Sequence, residues 1–328
     1  MLVCKYSDPP SGAVKNIDIT EYVLRYLWSG DVDQCARRLE FEIAFNTPDK
    51  DAGFIGLDLK LGGTILLEYV DDYGESAELF NGRIFSRKRN GNSYTFEFVA
   101  YDQLIYLAKN KLCLAFYNAK ATDAINLVCS KIGIVAFGGN PTLGTLINFV
   151  ADEKSGSEII QMILAKVRAD TGIMYAASSI NGQLAIIKQG TLLEEYIADA
   201  SAGVTSADHG ENIENMINRV ELWDDHGNFI SAITAEADVN EYGILQGIYK
   251  IQPPVEGESV DNYKAAASLL NGIESDTQLH AIGNIQCVSG YSIVVREDVL
   301  QGNFLIKSDT HTFENNTHMM DLTLTYIQ

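Results

Sequence analysis

Apolar and polar residues alternate near the N-terminus with a period of two, which is the pattern of a half-buried β-strand. In the run 39–45, leucine, phenylalanine and isoleucine occupy the odd positions, and acidic or small residues occupy the even ones. The runs 79–89 and 93–100 flank Asn90-Gly91-Asn92, which favours a hairpin because Asn and Gly adopt positive φ at low cost. Residues up to about 101 therefore predict an antiparallel β-domain, a barrel or a sandwich.

The pattern changes to a helical period in the middle of the chain. Apolar residues at 125, 128, 129 and 132 predict an amphipathic helix that begins near Thr122 and ends at Gly133. A second stripe, at 160, 163, 164 and 167, follows the N-cap candidate Ser157 and ends before Gly172. The runs 174–178 and 183–188 then flank a hairpin signal. Residues 113–200 therefore predict a small α+β unit.

Strand patterns return after residue 200, near 220–223, 229–230, 242–249 and 293–295. A helical stripe from Ala266 to Ile273 begins near Asp261 and ends at Asn271-Gly272, which predicts a helical insertion at about 255–282. The predicted fold class is α+β, mainly β. Its predicted domains are a first β-domain at 1–112, the α+β unit at 113–200 and a second β-domain at 201–328.

The last stretch, 302–327, predicts a closing hairpin, because two alternating runs flank the turn-forming residues 315–317. Its polar residues raise the question of a site, since Asp309, His311, Glu314 and His318 lie within ten positions. Asp309 and His311 would share one face of a strand. Their spacing does not match a recognised set of metal ligands. The prediction is a solvated connection between strands, with no catalytic, cofactor-binding or metal-binding residue.

The same stretch, GNFLIKSDTHTFENNTHMM from Gly302 to Met320, resembles the end of the XkdQ/YqbQ-type tail proteins, the baseplate hub proteins of contractile phage tails and phage-tail-like bacteriocins. Further matches to this family are spread along the chain. They are Trp28-Ser29-Gly30-Asp31, Arg38-Leu39, Leu79-Phe80-Asn81-Gly82, Ala100-Tyr101-Asp102 and Glu214-Asn215-Met216-Ile217-Asn218-Arg219-Val220.

The resemblance implies a structural protein of a prophage, phage or bacteriocin particle. In this family, two β-domains of related, tube-type fold occur in each subunit of a trimer, and six such domains form a ring. The ring joins the sixfold tail tube to the threefold central spike, and it lines a channel for DNA. The implied partners are two further copies of the chain, the tube protein, the spike protein, and baseplate wedge or LysM-type tail proteins. We expect strands at 39–45, 79–100 and 302–327 to build the ring.

Charge agrees with that expectation. The chain carries 24 basic and 44 acidic side chains, a net charge of −20, and residues 201–328 hold 19 of the acidic and five of the basic ones. Such a surface repels nucleic acid. The basic cluster Arg87-Lys88-Arg89 is too small to predict a phosphate-binding site. We expect no specific nucleic-acid binding.

Cofactors are not predicted either. The loop 139–145 imitates a phosphate-binding loop, but Thr145 stands where the lysine would reach the phosphates. The five cysteines, Cys4, Cys35, Cys113, Cys129 and Cys287, contain no C-x-x-C pair, and we expect buried free thiols. No apolar run is long enough for a signal peptide or a membrane span, which predicts a protein that is made and kept in a cytoplasm or assembled there into something larger. The resemblance implies that this is a bacterial host cytoplasm and that the assembled protein resides in the tail baseplate.

Enzymatic alternatives find little support in the sequence. Cys287 lies seven residues from His280 but in an apolar run, which favours a core cysteine over a nucleophile. The chain contains neither a His-Glu-x-x-His motif nor a Gly-x-Ser-x-Gly motif. The prediction is therefore a protein without enzymatic activity. The alternatives are a peptidoglycan hydrolase or cell-wall-targeting module, suggested by Asp309, His311 and His318, and a carbohydrate-binding β-domain, suggested by sixteen tyrosines.

Overall fold

The computed structural model describes residues 1–9, 12, 15–44, 56–71, 73–91, 94–251, 262–298 and 300–327. The chain forms two compact units. Unit 1 consists of Met1–Ala207 and Gln278–Gln328, and unit 2 consists of Asp208–Thr277. The three-part division at 1–112, 113–200 and 201–328 stays a prediction, whereas the predicted α+β, mainly β class is confirmed.

Seven antiparallel strands begin the chain. They are β1 (Leu2–Ser7), β2 (Ile17–Asp18), β3 (Val23–Asp31), β4 (Gln34–Ala44), β5 (Thr64–Val70), β6 (Ser76–Asn90) and β7 (Thr95–Asp102). Their order in the sheet is β3-β4-β7-β6-β5-β1-β2. The alternation predicted for β4 is confirmed, since Leu39, Phe41 and Ile43 are buried, and β6 and β7 form the predicted hairpin. Position 45 lies outside the described residues.

The helices lie in the middle of the chain. The elements are α1 (Ile105–Lys109), β8 (Lys111–Lys120), α2 (Ala121–Ile132), β9 (Leu146–Ser155), α3 (Gly156–Thr171), β10 (Tyr175–Ile180) and β11 (Gln183–Lys188). Gly133 and Gly172 end α2 and α3 in the left-handed conformation, as predicted. The N-cap prediction of Ser157 is wrong. Ser155 caps α3 instead, because its hydroxyl accepts from the Glu158 N–H while the Glu158 carboxylate accepts from the Ser155 N–H.

The remaining elements follow in chain order. They are β12 (Thr191–Ala198), β13 (Val204–Asn212), β14 (Arg219–Trp223), β15 (Phe229–Thr234), α4 (Glu236–Tyr242), β16 (Gln246–Lys250), α5 (Asn262–Ala267), β17 (Glu274–Ile282), β18 (Tyr291–Glu297), β19 (Leu300–Glu314) and β20 (Thr317–Tyr326). The predicted closing hairpin is confirmed by β19 and β20. Asn315 and Asn316 form its turn, with φ of 51° and 60°, the positive values that a tight hairpin turn requires.

A long-range pairing joins the two ends of the chain in unit 1. Strand β19 pairs antiparallel with β3, so that Ser308–Glu314 lies beside Arg25–Asp31. The N-terminal strands and the C-terminal strands are therefore parts of one continuous sheet. Separate hydrophobic clusters support its two parts: one lies around Phe41, Ile65 and Phe98, and the other around Ile293 and Leu322.

Unit 2 is built on a three-stranded sheet with the order β15-β14-β16. Val220 and Leu222 of β14 pack with Ala266 of α5 to form its core. The strand predicted at 242–249 is partly wrong. Residues up to Tyr242 belong to α4, which ends at Gly243 with a φ of 79°, and β16 begins at Gln246. The helical stripe is shorter than predicted, because α5 ends at Ala267; its predicted start near Asp261 lies outside the described residues.

Among the described helices, none combines the length and the apolar character that crossing a membrane requires.

Candidate functional site: a buried polar cluster between β3 and β19

An ion pair lies inside unit 1, where the strands from the two ends of the chain meet. Arg37 of β4 donates from Nη1 to Oδ1 of Asp309 over 3.1 Å and from Nη2 to Oδ2. The Ser289 N–H also donates to Oδ1, over 2.7 Å. The carboxylate of Asp309 is 1% exposed, and its three donors replace the water that burial removes. The prediction that Asp309 lies in a solvated connection is therefore wrong.

The period of β19 explains why polar residues occupy the interior. Asp309, His311 and Phe313 are two positions apart, so they share the buried face of the strand. A register shift between Ile306 and Ser308 changes which positions face inward. Phe313 is an apolar residue on the same face of β19 as Asp309 and His311, and it is buried. Its position is the local feature of the sequence that indicates burial of the two polar residues.

Trp28 and Gly30 of β3 complete the surroundings of the ion pair. The guanidinium carbon of Arg37 lies 4.0 Å from the ring centre of Trp28, which is a favourable cation–π geometry. Gly30 stands opposite Asp309 in the strand register. A Cβ atom at Gly30 would lie 2.3 Å from Nη1 of Arg37. The absence of a side chain at Gly30 therefore provides the space for the guanidinium.

Two histidines extend the cluster towards β20. Nε2 of His311 lies 3.1 Å from the Cys287 carbonyl oxygen, and Nδ1 of His311 lies 3.0 Å from Nε2 of His318. Because a carbonyl oxygen only accepts, Nε2 of His311 carries a proton and donates it. In the neutral ring Nδ1 then accepts from His318. The ring of His318 stacks on Phe313 with centroids 4.0 Å apart. One set of tautomers is therefore compatible with both of these hydrogen bonds.

The electrostatics keep both histidines neutral. Burial lowers the pKa of His311, and the attraction of Asp309 only partly opposes this effect. Burial and the neighbouring His311 lower the pKa of His318 to about 3. Burial raises the pKa of the Cys287 thiol to about 12. A thiol with that pKa is a poor nucleophile at neutral pH, as the sequence indicated for Cys287.

We call Arg37, Asp309, His311 and His318 the buried polar cluster. Arg37, Asp309 and His311 are buried, and their polar contacts are made with protein groups. The cluster connects β4, β19, β20 and the loop before β18. Its hydrogen bonds hold these elements together.

The other residues that match the resemblance also have packing roles. A Cβ atom at Gly82 would lie 2.2 Å from the Tyr101 carbonyl oxygen, so this glycine permits the close approach of β6 to β7. In unit 2, the buried Asn218 donates to the Gly243 carbonyl oxygen and accepts from the Leu245 N–H. It therefore fixes the chain between α4 and β16.

The sequence pattern does not predict the structural role of Asp102. It is buried at the end of β7, where it accepts from the N–H groups of Arg37 and Leu104. Burial raises its pKa to about 7, against those hydrogen bonds. Asp102 therefore connects β7, β4 and the start of α1. Its partner Arg37 lies 65 positions away, so the sequence held no local sign of this role.

The remaining candidate groups lie outside the cluster. Arg87 and Lys88 form ion pairs with Asp58 and Glu97, so acidic groups already contact part of the basic cluster. Among the described residues, a metal-compatible grouping of Asp224, Asp225 and His226 lies in an exposed turn of unit 2. The expectation of buried cysteines is wrong for Cys113, which is exposed; the other four are buried.

Solved structures of other proteins share the fold of this chain. The chain is similar in structure to the 43 kDa tail protein of prophage MuSo2 from Shewanella oneidensis, with a TM-score of 0.69 and 13% sequence identity. The match covers 99% of this chain and 98% of the tail protein. The E. coli c3393 protein matches over 93% of this chain and 74% of its own, with a TM-score of 0.52 and 8% identity. It is described as a type VI secretion component similar in structure to T4 tail proteins gp27 and gp5. The fold is thus one found in tail proteins.

The family follows from sequence. The YqbQ-like family model matches residues 26–325, and this chain belongs to that family. Two Bacillus subtilis proteins are similar over 80% of this chain and 80% of their own length. They are the uncharacterized protein YqbQ, at 25% identity over 268 residues, and the phage-like element PBSX protein XkdQ, at 23% over 272 residues. The resemblance stated from the sequence is confirmed.

Proposed function

We propose that the protein is a structural component of a phage-tail baseplate, in a phage, a prophage particle or a tail-like bacteriocin. Membership of the YqbQ-like family over residues 26–325 carries this proposal. The buried polar cluster supports it, because the residues that carry the resemblance at the C-terminus hold strands together. The protein acts by assembly rather than by catalysis.

The finer proposal is a trimeric hub. Three copies form a ring that joins the sixfold tube to the threefold spike, as the family resemblance implies. Strands with unpaired edges need a neighbour, because exposed edges aggregate. In unit 1 the described part of the sheet ends at the two-residue strand β2, and a second copy would cover such an edge. A ring needs head-to-tail contacts rather than twofold ones.

The proposed partners are the tube protein, the spike protein, and wedge or LysM-type tail proteins. The net charge of −20 suits the wall of a channel through which DNA passes, because like charges repel the phosphates. Strands in 39–45, 79–100 and 302–327 are proposed to build the ring. The first and second β-domains are proposed to occupy equivalent positions in it.

Purified particles provide the test. Particles from a producing strain would be analysed by quantitative mass spectrometry and by cryo-electron microscopy. We expect three copies in each particle, located between the tube and the spike, against six copies of the tube protein in every layer of the tube. A protein absent from the particles, or present at the copy number of the tube, would contradict the hub.

A peptidoglycan hydrolase or targeting module is the second candidate. Zymography on cell walls separates the two, with the wild type and His311→Ala compared after both are shown to be folded. We expect no clearing from either protein. Clearing by the wild type that is lost in the folded variant would establish the hydrolase instead.

A further inference from the structure

Among the described residues of unit 2, the core packs against one face of the sheet and leaves the other face uncovered. Val220 and Leu222 of β14 point to the core, so the alternate residues of the strands point to the other side. We call this side the open face; it contains Arg219, Glu221, Trp223, Phe229, Ile248 and Lys250. Phe229 is 51% exposed and Ile248 is 59% exposed. Two large apolar side chains thus stand in solvent on one sheet surface.

The open face is held in a fixed arrangement. The indole Nε1 of Trp223 donates to the Glu221 carboxylate over 3.0 Å, and Nη2 of Arg219 donates to the same group over 3.2 Å. The rings of Trp223 and Phe229 meet edge to face, with centroids 5.8 Å apart. Aromatic and arginine side chains are the residues enriched at protein interfaces. An interface formed here would lose little side-chain entropy, because the groups are already ordered.

Charge identifies the kind of partner. Residues 208–277 carry 14 acidic and three basic side chains in the sequence. Two of the basic side chains, Arg219 and Lys250, lie on the open face, where Arg219 is paired with Glu221. The negative excess of the unit therefore comes from residues outside that face. Asp224 and Asp225 follow Trp223 at one end of the sheet. Glu236 and Asp238 begin α4 at the other end, directly after β15. This field repels nucleic acid, an anionic membrane and a second copy of the unit, and it attracts a cationic chain.

We propose that the open face is a docking surface for a basic, amphipathic segment of another protein. Its apolar side chains pack against Trp223, Phe229 and Ile248, and its lysine or arginine side chains meet the acidic ends of the sheet. This inference goes beyond the proposed function and does not rest on it, since unit 2 alone provides the surface and the charge.

A tryptophan reporter is built into the open face. The chain has two tryptophans, and Trp28 is only 4% exposed, so a change in emission on binding reports Trp223. The probe is a short peptide that alternates lysine with valine, titrated into the full-length protein. We expect a saturable blue shift of the emission, because the peptide excludes water from Trp223.

Three variants and two further peptides make the test specific. The double variant Phe229→Ser with Ile248→Ser is expected to weaken binding by about tenfold or more, since each 1.4 kcal/mol of lost contact is tenfold. Tyr117→Ser is the matched control, because Tyr117 is 79% exposed on β8 in unit 1; it should bind as the wild type does. Peptides that alternate glutamate with valine, or lysine with serine, should bind far more weakly. If the double variant unfolds, Ile248→Ser alone replaces it, with a smaller loss expected.

Several results would overturn the proposal. Equal binding by the wild type and the folded variant would remove the open face as the site. Tight binding of the glutamate–valine peptide would show that the partner need not be basic. Equally tight binding of the lysine–serine peptide would show that apolar contacts are not required. Self-association in light scattering that Phe229→Ser abolishes would make a second copy the occupant.

Discussion

An arginine, a carboxylate and a tryptophan meet in each compact unit of this protein. In unit 1, Arg37 pairs with Asp309 beside Trp28, and in unit 2, Arg219 pairs with Glu221 beside Trp223. The first group is enclosed by two strands and a loop. The second group lies on an open sheet face, where the Arg219 side chain is 31% exposed.

The difference in burial changes what the same chemistry does. Replacing a buried ion pair by apolar side chains of similar volume often leaves the stability of a protein unchanged or raises it. Removing only one partner is strongly destabilising, because the other charge stays buried with neither a partner nor water. A pair that is partly exposed, as Arg219 and Glu221 are at 31% and 14%, is screened by water and contributes less to stability. Loss of either partner in unit 1 should therefore weaken the contact between the joined strands, whereas the pair in unit 2 orders side chains on a solvent-facing surface.

The largest expected effect is that of Asp309→Ala. This change leaves the guanidinium of Arg37 buried without its carboxylate, which should lower the free energy of unfolding by about 3–5 kcal/mol. Denaturant unfolding of the wild type and the variant measures the difference. A loss below about 1 kcal/mol would show that water or another group compensates Arg37.

Gly30→Ala should have the next largest effect. The added methyl group would lie 2.3 Å from Nη1 of Arg37, and such overpacking costs about 1–3 kcal/mol. Gly144→Ala is the matched control, because a Cβ atom there meets no atom within 4 Å. Equal melting temperatures of the two variants would contradict the proposed need for space beside Arg37.

A smaller effect should appear in the pH dependence of stability. The unfolded chain protonates His318 below its ordinary pKa of about 6.5, whereas the folded chain does so only near pH 3. Stability from this group is therefore present above pH 6.5 and is lost as the pH falls towards 3. Asp102, with a pKa raised to about 7, acts in the opposite direction.

The comparison with His318→Gln isolates the histidine, because the variant retains Asp102. Between about pH 7 and about pH 5, the wild type should lose more stability than the variant, as measured by denaturant unfolding at each pH. Parallel profiles would mean that His318 is protonated in the folded protein at the same pH as in the unfolded one.

The smallest effect is expected for Glu221→Ala in unit 2. The change removes a partly exposed ion pair and the acceptor of the Trp223 indole N–H, which together should cost about 1 kcal/mol. The measurement is the same denaturant unfolding as for Asp309→Ala, and the ratio of the two losses is the quantity of interest. A loss as large as that of Asp309→Ala would remove the distinction between the two groups.

Local patterns in the sequence predicted the local structure well. The hairpins β6–β7 and β19–β20 and the ends of α2 and α3 at Gly133 and Gly172 were predicted, because turn residues and periodicity act over a few positions. Ser155 was missed as an N-cap because Ser157 offers the same chemistry two positions later. The end of α4 is not predicted, because the apolar pattern at 242–249 places Gly243 inside a strand.

Long-range pairing could not be predicted in this way. The local pattern predicts a solvated Asp309, because its partner Arg37 is 272 positions away. The register shift before Ser308 also moved Asp309 and His311 onto the buried face, out of phase with Phe304 and Ile306. Short windows of the sequence contain neither fact. The resemblance indicates the family of the protein but not this geometry.

The pairing of β3 with β19 also sets the order of events during synthesis. One edge of β3 has no partner until residues 308–314 leave the ribosome. At about 5–20 residues per second, the 272 positions between Arg37 and Asp309 take roughly 15 to 55 s to translate. Throughout that interval the nascent chain exposes an unpaired strand edge, which can pair with other nascent chains on the same mRNA. The yield of soluble protein should therefore depend on translation speed and on chaperones that shield the unfinished sheet.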